Sequence, residues 1–197
     1  MTLYKGVREW FARINAYGAA RGIRILHYIN SSGLKEIIEG TEIAHEFRRI
    51  YACSFLYDID GVAYWPAVAV NYTNKTQFIF KINKGVESVF DSKLVNQYIE
   101  EDKRPVPFRR MIYVGDGTTD IPCMRLVKNS GGHSIAVYNP EIRNARRELN
   151  GLIRDNRVSH VCPADYSEGS EMDTLVKTII DKIEADHRLE LLETPRT

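Results

Sequence analysis

Two carboxylates stand in the stretch Met111-Ile-Tyr-Val-Gly-Asp-Gly-Thr-Thr-Asp120, four residues apart and directly after an apolar run that ends at Gly115. A short apolar run closed by glycines reads as a buried strand stopping at a tight loop. In an open α/β sheet the carboxyl end of such a strand is where ligands bind. Glycines at 115 and 117 allow a sharp turn and close approach of the backbone to a ligand. Asp116 and Asp120, brought to one point there, suit a hard cation such as Mg²⁺, which takes one or two carboxylates together with waters and substrate phosphate. The other hydroxyl-bearing loop, Asn30-Ser-Ser-Gly33, precedes a helical pattern at residues 34–38. A serine there caps the helix, and the helix start offers free N–H groups to an anion. Dinucleotide binding through Gly115-x-Gly117 is the weaker reading, because Asp120 puts a negative charge where the third glycine of that fingerprint would meet a pyrophosphate.

These residues need a scaffold, and the chain has its pattern. Val7, Trp10, Phe11, Ile14 and Tyr17 have helical spacing over residues 6–21, with Trp10 and Phe11 as core. A strand is expected at 23–29, then the serine loop and the helix at 34–38. Around Asp58-Ile-Asp-Gly61, β-branched and aromatic residues on both sides predict a β-hairpin over 50–70. Helices are expected at 73–83, with Phe78, Ile79 and Ile82 buried, and at 89–99. After the strand at 111–114 come a helix at 121–128, a strand at 134–138, a helix at 141–149, a strand at 158–162 and a helix at 171–191. Strands alternating with helices imply one α/β domain over residues 1–197, a Rossmann-like, mainly parallel sheet with helices on both faces, and a frayed tail at 193–197.

Composition narrows the partners. The 27 basic and 26 acidic residues nearly cancel, which gives no support to a nucleic-acid binder or an anionic-membrane binder. No apolar run approaches the roughly 20 residues of a spanning helix, and the first residues lack a secretory core, so a cytoplasmic protein is expected. Cys53, Cys123 and Cys162 have no paired spacing and read as free, mostly buried thiols. The five histidines lie singly and receive no role.

A strand ending in a hydroxyl loop at Ser31, a lysine region at Lys81 and Lys84, and a strand followed by Gly115-Asp-Gly-Thr-Thr-Asp120 occur in that order. The order and local contexts resemble the haloacid dehalogenase superfamily of phosphohydrolases, most closely its phosphoserine-phosphatase-like branch, over about residues 5–140. The resemblance implies a haloacid-dehalogenase-like core in which Ser31 hydrogen-bonds the transferring phosphoryl group, with Ser32 and Gly33 beside it. Lys84, in Asn83-Lys-Gly85, would neutralise phosphate charge, with Lys81 as rival. Asp116 would be the direct Mg²⁺ ligand, Asp120 the second acidic residue, and Thr119 a polar neighbour of the substrate phosphate. Phosphoryl transfer, which rests on positioning and neutralisation of spread charge, asks for these types.

The family's first motif, an apolar strand followed by Asp-x-Asp that carries the nucleophile, has no counterpart before Ser31, where the only acidic residue is Glu9. The resemblance therefore implies a Mg²⁺-dependent phosphomonoester hydrolase domain for a small phosphorylated molecule, without its nucleophile segment and inactive alone. Phe55-Leu-Tyr-Asp-Ile-Asp-Gly-Val62 matches the missing pattern but follows the serine loop; it reads as a hairpin turn, with a permuted nucleophile Asp58 and acid/base Asp60 as the alternative. A non-catalytic phosphate- or metal-binding module is the other alternative. Loss of a central strand would leave exposed strand edges, so a homodimer, a complementing N-terminal segment or poor solubility is expected.

Overall fold

The computed structural model describes residues 2–91 and 93–193. It is a Rossmann-like α/β structure. Two three-stranded sheets share the same covering helices. The first sheet has the order β1 (His27–Leu34), β2 (Phe47–Tyr57), β3 (Ala63–Val68); β1 and β2 are parallel, and β3 returns antiparallel as the arm of a hairpin. The second, β4 (Ile112–Gly115), β5 (His133–Tyr138), β6 (His160–Pro163), is parallel throughout.

One helix layer is α1 (Val7–Ala19) with α7 (Glu171–Glu193). Trp10, Phe11 and Ile14 interlock with Met172, Val176, Ile179 and Ile180 over Ile135 and Val137 of β5, and Phe47 and Ile112 from the two sheets pack against the same cluster. The expected core placement of Trp10 and Phe11 therefore holds. The opposite layer is α3 (Lys75–Lys84) with α5 (Ile121–Asn129): Phe78, Ile79, Ile82, Cys123 and Val127 bury Tyr51 and Met111, and Tyr28 of β1 and Tyr113 of β4 join them. Tyr51 stacks on Phe78 at 5.1 Å. α6 (Ala145–Arg154) covers β5 and β6 through Leu149 and Leu152. Each apolar stripe removes water from one sheet face, at about 25 cal/mol per Å² buried.

Several boundaries differ from the sequence pattern. β1 begins at His27 and continues through the serine loop to Leu34. Asn30 pairs with Tyr51 and Leu34 with Cys53, so Ser31, Ser32 and Gly33 face one residue of β2 and bulge out of the ladder. The helix after it, α2 (Lys35–Glu39), has Leu34 at its N-cap and no side-chain cap, so neither serine has the capping role expected of it. The helix expected at 89–99 is reduced to the single turn α4 (Lys93–Asn96). Carbonyls in and around this turn are taken from outside: Lys81 Nζ donates to Ser88 O and Asp91 O, and Lys84 Nζ to Val95 O and Gln97 O. Phe90 and Tyr98 lie 73% and 83% exposed, so no apolar face supports a longer helix. α6 starts four residues later than its pattern because Asn144 adopts a left-handed conformation (φ 67°) just before it. The expected tail at 193–197 falls outside the described residues beyond Glu193.

The hairpin over 50–70 is present. Asp58 Oδ1 accepts from the N–H groups of Asp60 (3.0 Å) and Val62 (2.8 Å), and Gly61 takes φ 78° to close the turn. The Asp-x-Asp-Gly sequence is thereby accounted for as turn chemistry.

Candidate functional site

The carboxyl ends of β1 and β4 lie together, and a buried polar cluster occupies that end of the sheets. Its centre is Asp120. The chain leaves β4 at Gly115, turns through the short 3₁₀ helix Thr118–Asp120, and folds Asp120 back beneath the strand end. Gly115 is required there, because a Cβ would lie 2.6 Å from Asp120 Cβ and 2.7 Å from Met124 Cε. Asp120 Oδ1 accepts from Lys75 Nζ at 2.5 Å and from Tyr113 Oη at 2.7 Å, and Oδ2 accepts from Gly117 N at 3.3 Å. Lys75 and Asp120 are 3% and 7% exposed, so this ion pair sits in low dielectric, where its removal is costly.

Burial, then the Asp120 charge and Cys123, hold the Tyr113 phenol far above its ordinary value. Burial also raises the Cys123 thiol. Tyr113 is therefore a fixed O–H donor and Cys123 a neutral thiol at any physiological pH. Asn30, the last regular residue of β1 before the bulge, donates Nδ2 to Lys75 O at 3.1 Å and lies 3.8 Å from Cys123 Sγ. Its Oδ1 is buried with no hydrogen-bond partner.

Of the two carboxylates expected at one point, only Asp116 is free. It is exposed and accepts no hydrogen bond among the described residues. Its charge, after burial, raises the phenol of Tyr4 and, after burial and Cys162, that of Tyr166. Asp120 spends its lone pairs on Lys75, Tyr113 and Gly117. Among the described residues no cluster of three His, Cys, Asp or Glu side chains is placed to hold a metal. The donors fall short of a metal site: Asp116 offers one open carboxylate, and the remaining ligands would have to be water, substrate or groups from elsewhere.

Ser31 lies one residue beyond Asn30, so the bulge opens at the cluster. Its Oγ accepts from Gly33 N at 3.0 Å and keeps its own hydrogen free to donate. Ser32 and Gly33 are exposed on the same bulge, and Thr119 is half-buried in the 3₁₀ turn beside Asp120. Lys84 is not in this cluster. It ends α3, nine residues from Lys75 along the same helix, with its ammonium on the carbonyls of Val95 and Gln97; the Lys81 ammonium is held by those of Ser88 and Asp91. The lysine that meets the carboxylate is Lys75.

Sequence reasoning missed Lys75, Tyr113 and Asn30. A signal for Lys75 exists: it is the first residue of α3, where a cation opposes the helix dipole. A lysine in that position, preceded by the turn residues Asn71-Tyr-Thr-Asn74, calls for a buried anionic partner or ligand. Asp58 and Asp60 are exposed on the hairpin tip, and Asp58 is engaged by the turn. Two open cavities, of about 420 and 350 Å³, lie at the amino end of β1 around Asn15, Ile25 and His27, away from the cluster. No helix among the described residues is long and apolar enough to cross a membrane.

No family model matches the chain. A protein of Borreliella burgdorferi described as uncharacterized is 29% identical over 177 residues, a match covering 79% of this chain and 56% of that protein. The chain thus spans little more than half the length of this relative.

Proposed function

We propose that this chain is the phosphate-binding portion of a Mg²⁺-dependent phosphomonoester hydrolase of the haloacid dehalogenase type, acting on a small phosphorylated molecule. The observation that carries the reading is the convergence of Lys75, Asp120, the free Asp116 and the Ser31 bulge at the carboxyl ends of two parallel strands. The Lys75 ammonium, its charge partly offset by Asp120, would meet phosphate, and the Ser31 hydroxyl would donate to it. Bound at Asp116, Mg²⁺ would neutralise further phosphate charge.

In the complete reaction a carboxylate oxygen attacks phosphorus, the P–O bond to the alcohol breaks, and the departing alkoxide takes a proton from an acid. Water then cleaves the aspartyl-phosphate and releases phosphate. Neither Asp116 nor Asp120 serves as that nucleophile in this reading, because Asp116 is the metal ligand and Asp120 is held by Lys75. The chain alone therefore binds phosphate without turnover.

The test is a thermal shift with inorganic phosphate and Mg²⁺ alongside p-nitrophenyl phosphate hydrolysis. Phosphate at about ten times its Kd stabilises the fold by about 1.4 kcal/mol, or about 3–6 °C for a protein of this size. No shift at saturating phosphate, or ordinary enzymatic turnover by the chain alone, rejects the reading. The full engagement of Asp120 favours one second reading, a non-catalytic phosphate-binding module; it predicts the same thermal shift and no turnover in any complex.

A further inference from the structure

We infer that the outer surface of α6, continued by the exposed end of α5, is a binding face for the phosphate backbone of a nucleic acid. The near-cancellation of charge over the whole chain hides a segregation. Residues 121–160 hold seven of the 27 basic residues and three of the 26 acidic ones, a surplus of four, which leaves 20 basic against 23 acidic elsewhere. The whole-chain balance, which gives no support to a nucleic-acid binder, is therefore an average over two unlike parts.

These charges are also uncompensated. Among the described residues six guanidinium groups make neither a hydrogen bond nor an ion pair: Arg24, and then Arg125, Arg143, Arg146, Arg147 and Arg157, all five exposed and all within this segment. α7 shows the contrast. Its Lys177, Lys182 and Arg188 each pair with a carboxylate four residues away, the ordinary way a solvated helix settles its charge. α6 has only the contact of Arg154 with Asp155, at 3.8 Å. Arg146 and Arg147 moreover stand in its first turn, where a cation opposes the helix dipole.

The fold brings the arginines to one surface. Leu149 and Leu152 hold α6 on the sheet face where Met124 of α5 also packs, so the two helices lie in one layer. With 3.6 residues per turn, Arg147 and Arg154 point away from the two leucines and Arg146 lies on one flank. Lys128 of α5 donates to Asn156 Oδ1 and Val158 O, which ties the end of α5 to the turn carrying Arg157. Arg125 is one turn back along α5.

The chemistry selects the occupant. Residues 125–157 hold six arginines and one lysine, and the planar guanidinium fork meets phosphate oxygens in pairs where an ammonium acts as a point charge. A helix lying in a membrane surface needs its apolar face for the acyl chains; that of α6 is spent on the sheet. A protein interface carries aromatic anchors at its centre, whereas the exposed large apolar side chains of residues 121–160 are Ile142 and Ile153 alone. Contacts to phosphate give binding independent of base sequence. None of these residues belongs to the Asp120 cluster, so the inference does not depend on the proposed function.

Fluorescence anisotropy of the intact chain, with a labelled DNA duplex of about 24 base pairs and a labelled single-stranded RNA of about 24 nucleotides, tests the face. Both should bind with Kd on the order of 10⁻⁵ M at about 150 mM salt. With about four phosphates contacted, log K should fall against log[salt] with a slope of about −3.6 for the duplex, a loss of roughly 150-fold between about 50 and about 200 mM. R143Q/R146Q/R147Q/R154Q should weaken binding at least about thirtyfold and flatten the slope, with an unchanged urea midpoint because the four side chains are exposed. R8Q/R24Q/K93Q/K103Q takes the formal charge from +1 to −3 just as the first variant does, but outside α5 and α6, and should hold affinity within about threefold because distant charges are screened. Should the fourfold α6 variant be destabilised, R147Q/R154Q alone should still reduce the steepness of the slope by about 1.8; an unchanged slope refutes the inference. Equal losses in the two fourfold variants would mean that net charge attracts the nucleic acid, and would overturn it, as would a Kd weaker than about 1 mM for both probes at about 50 mM salt. Binding to phosphatidylcholine–phosphatidylserine vesicles or to poly-glutamate that is as tight as to the nucleic acids, and lost in the α6 variant, would assign the face to a membrane or an acidic protein and would likewise overturn it.

Discussion

Lys75→Met removes the ammonium from a site where Asp120 is 7% exposed and leaves that carboxylate with only Tyr113 Oη and Gly117 N. Breaking a buried ion pair from one side costs about 3–5 kcal/mol, because the surviving charge is uncompensated in low dielectric. For a protein of this size that is a fall in Tm of about 6–20 °C, set against a total stability of about 5–15 kcal/mol. The double variant Lys75→Met, Asp120→Asn removes both charges while the amide oxygen still accepts from Tyr113. It should recover about 1–3 kcal/mol of the loss, the usual size of a contact coupling. Urea unfolding of the two single variants, the double variant and the parent gives the cycle. The stabilising response to inorganic phosphate should stay lost in the double variant although stability returns, because the ammonium that would meet phosphate is still missing. If Lys75→Met costs under about 1 kcal/mol, or if the single-variant losses simply add, the pair is not the buried centre described. If the phosphate response survives in the double variant, Lys75 has no part in binding.

Gly115→Ala forces a Cβ to within 2.6 Å of Asp120 Cβ and should cost about 1–3 kcal/mol by overpacking, read as a lower urea midpoint, together with a weakened phosphate response. Asp173, 1% exposed beneath α1, is opposed by burial, yet Lys177, Gly169 N and Arg13 outweigh that and hold its carboxyl below the ordinary value of 3.8. A depressed carboxylate stabilises above its unfolded value and loses that contribution as pH falls through the folded one. Tm should therefore drop below about pH 4 in the parent, and Asp173→Asn should lower Tm at pH 7 and flatten that acid limb. Asp58→Ala removes the acceptor for two turn N–H groups and should cost about 0.5–1.5 kcal/mol, with the phosphate-induced shift unchanged; a lost shift would bring back the permuted site.

Elements with a single dominant cause were legible in the sequence. Trp10, Phe11 and Ile14 in α1, and Phe78, Ile79 and Ile82 in α3, repeat with helical period and bury as that period predicts. The hairpin followed from Asp-Gly between β-branched runs. What was not legible depended on groups distant in sequence. Residues 89–99 have helical spacing, but Lys81 and Lys84 of the neighbouring helix claim the carbonyls of Asp91, Val95 and Gln97. The same two contacts carry Lys84 away from the carboxylates, and only the packing of α3 on α5 reveals Lys75 as the lysine that reaches Asp120. Asp116 and Asp120 share a motif but not an environment: one faces solvent, and the other is turned inward by a contact that exists only because residue 115 lacks a side chain.

That division of the two carboxylates bears on how the proposed phosphate site would respond to a cation. Lys75 and Asp120 neutralise each other at 2.5 Å, so the cluster carries little net charge, and the free Asp116 adds a negative one that opposes an incoming anion. A bound cation at Asp116 would reverse that sign locally. By thermodynamic linkage, whatever affinity the cation adds for phosphate, phosphate adds for the cation. Phosphate should thus bind weakly to the chain alone and more tightly when Mg²⁺ is present. Equal phosphate affinity with and without Mg²⁺ would mean that Asp116 and the Lys75–Asp120 cluster are energetically independent.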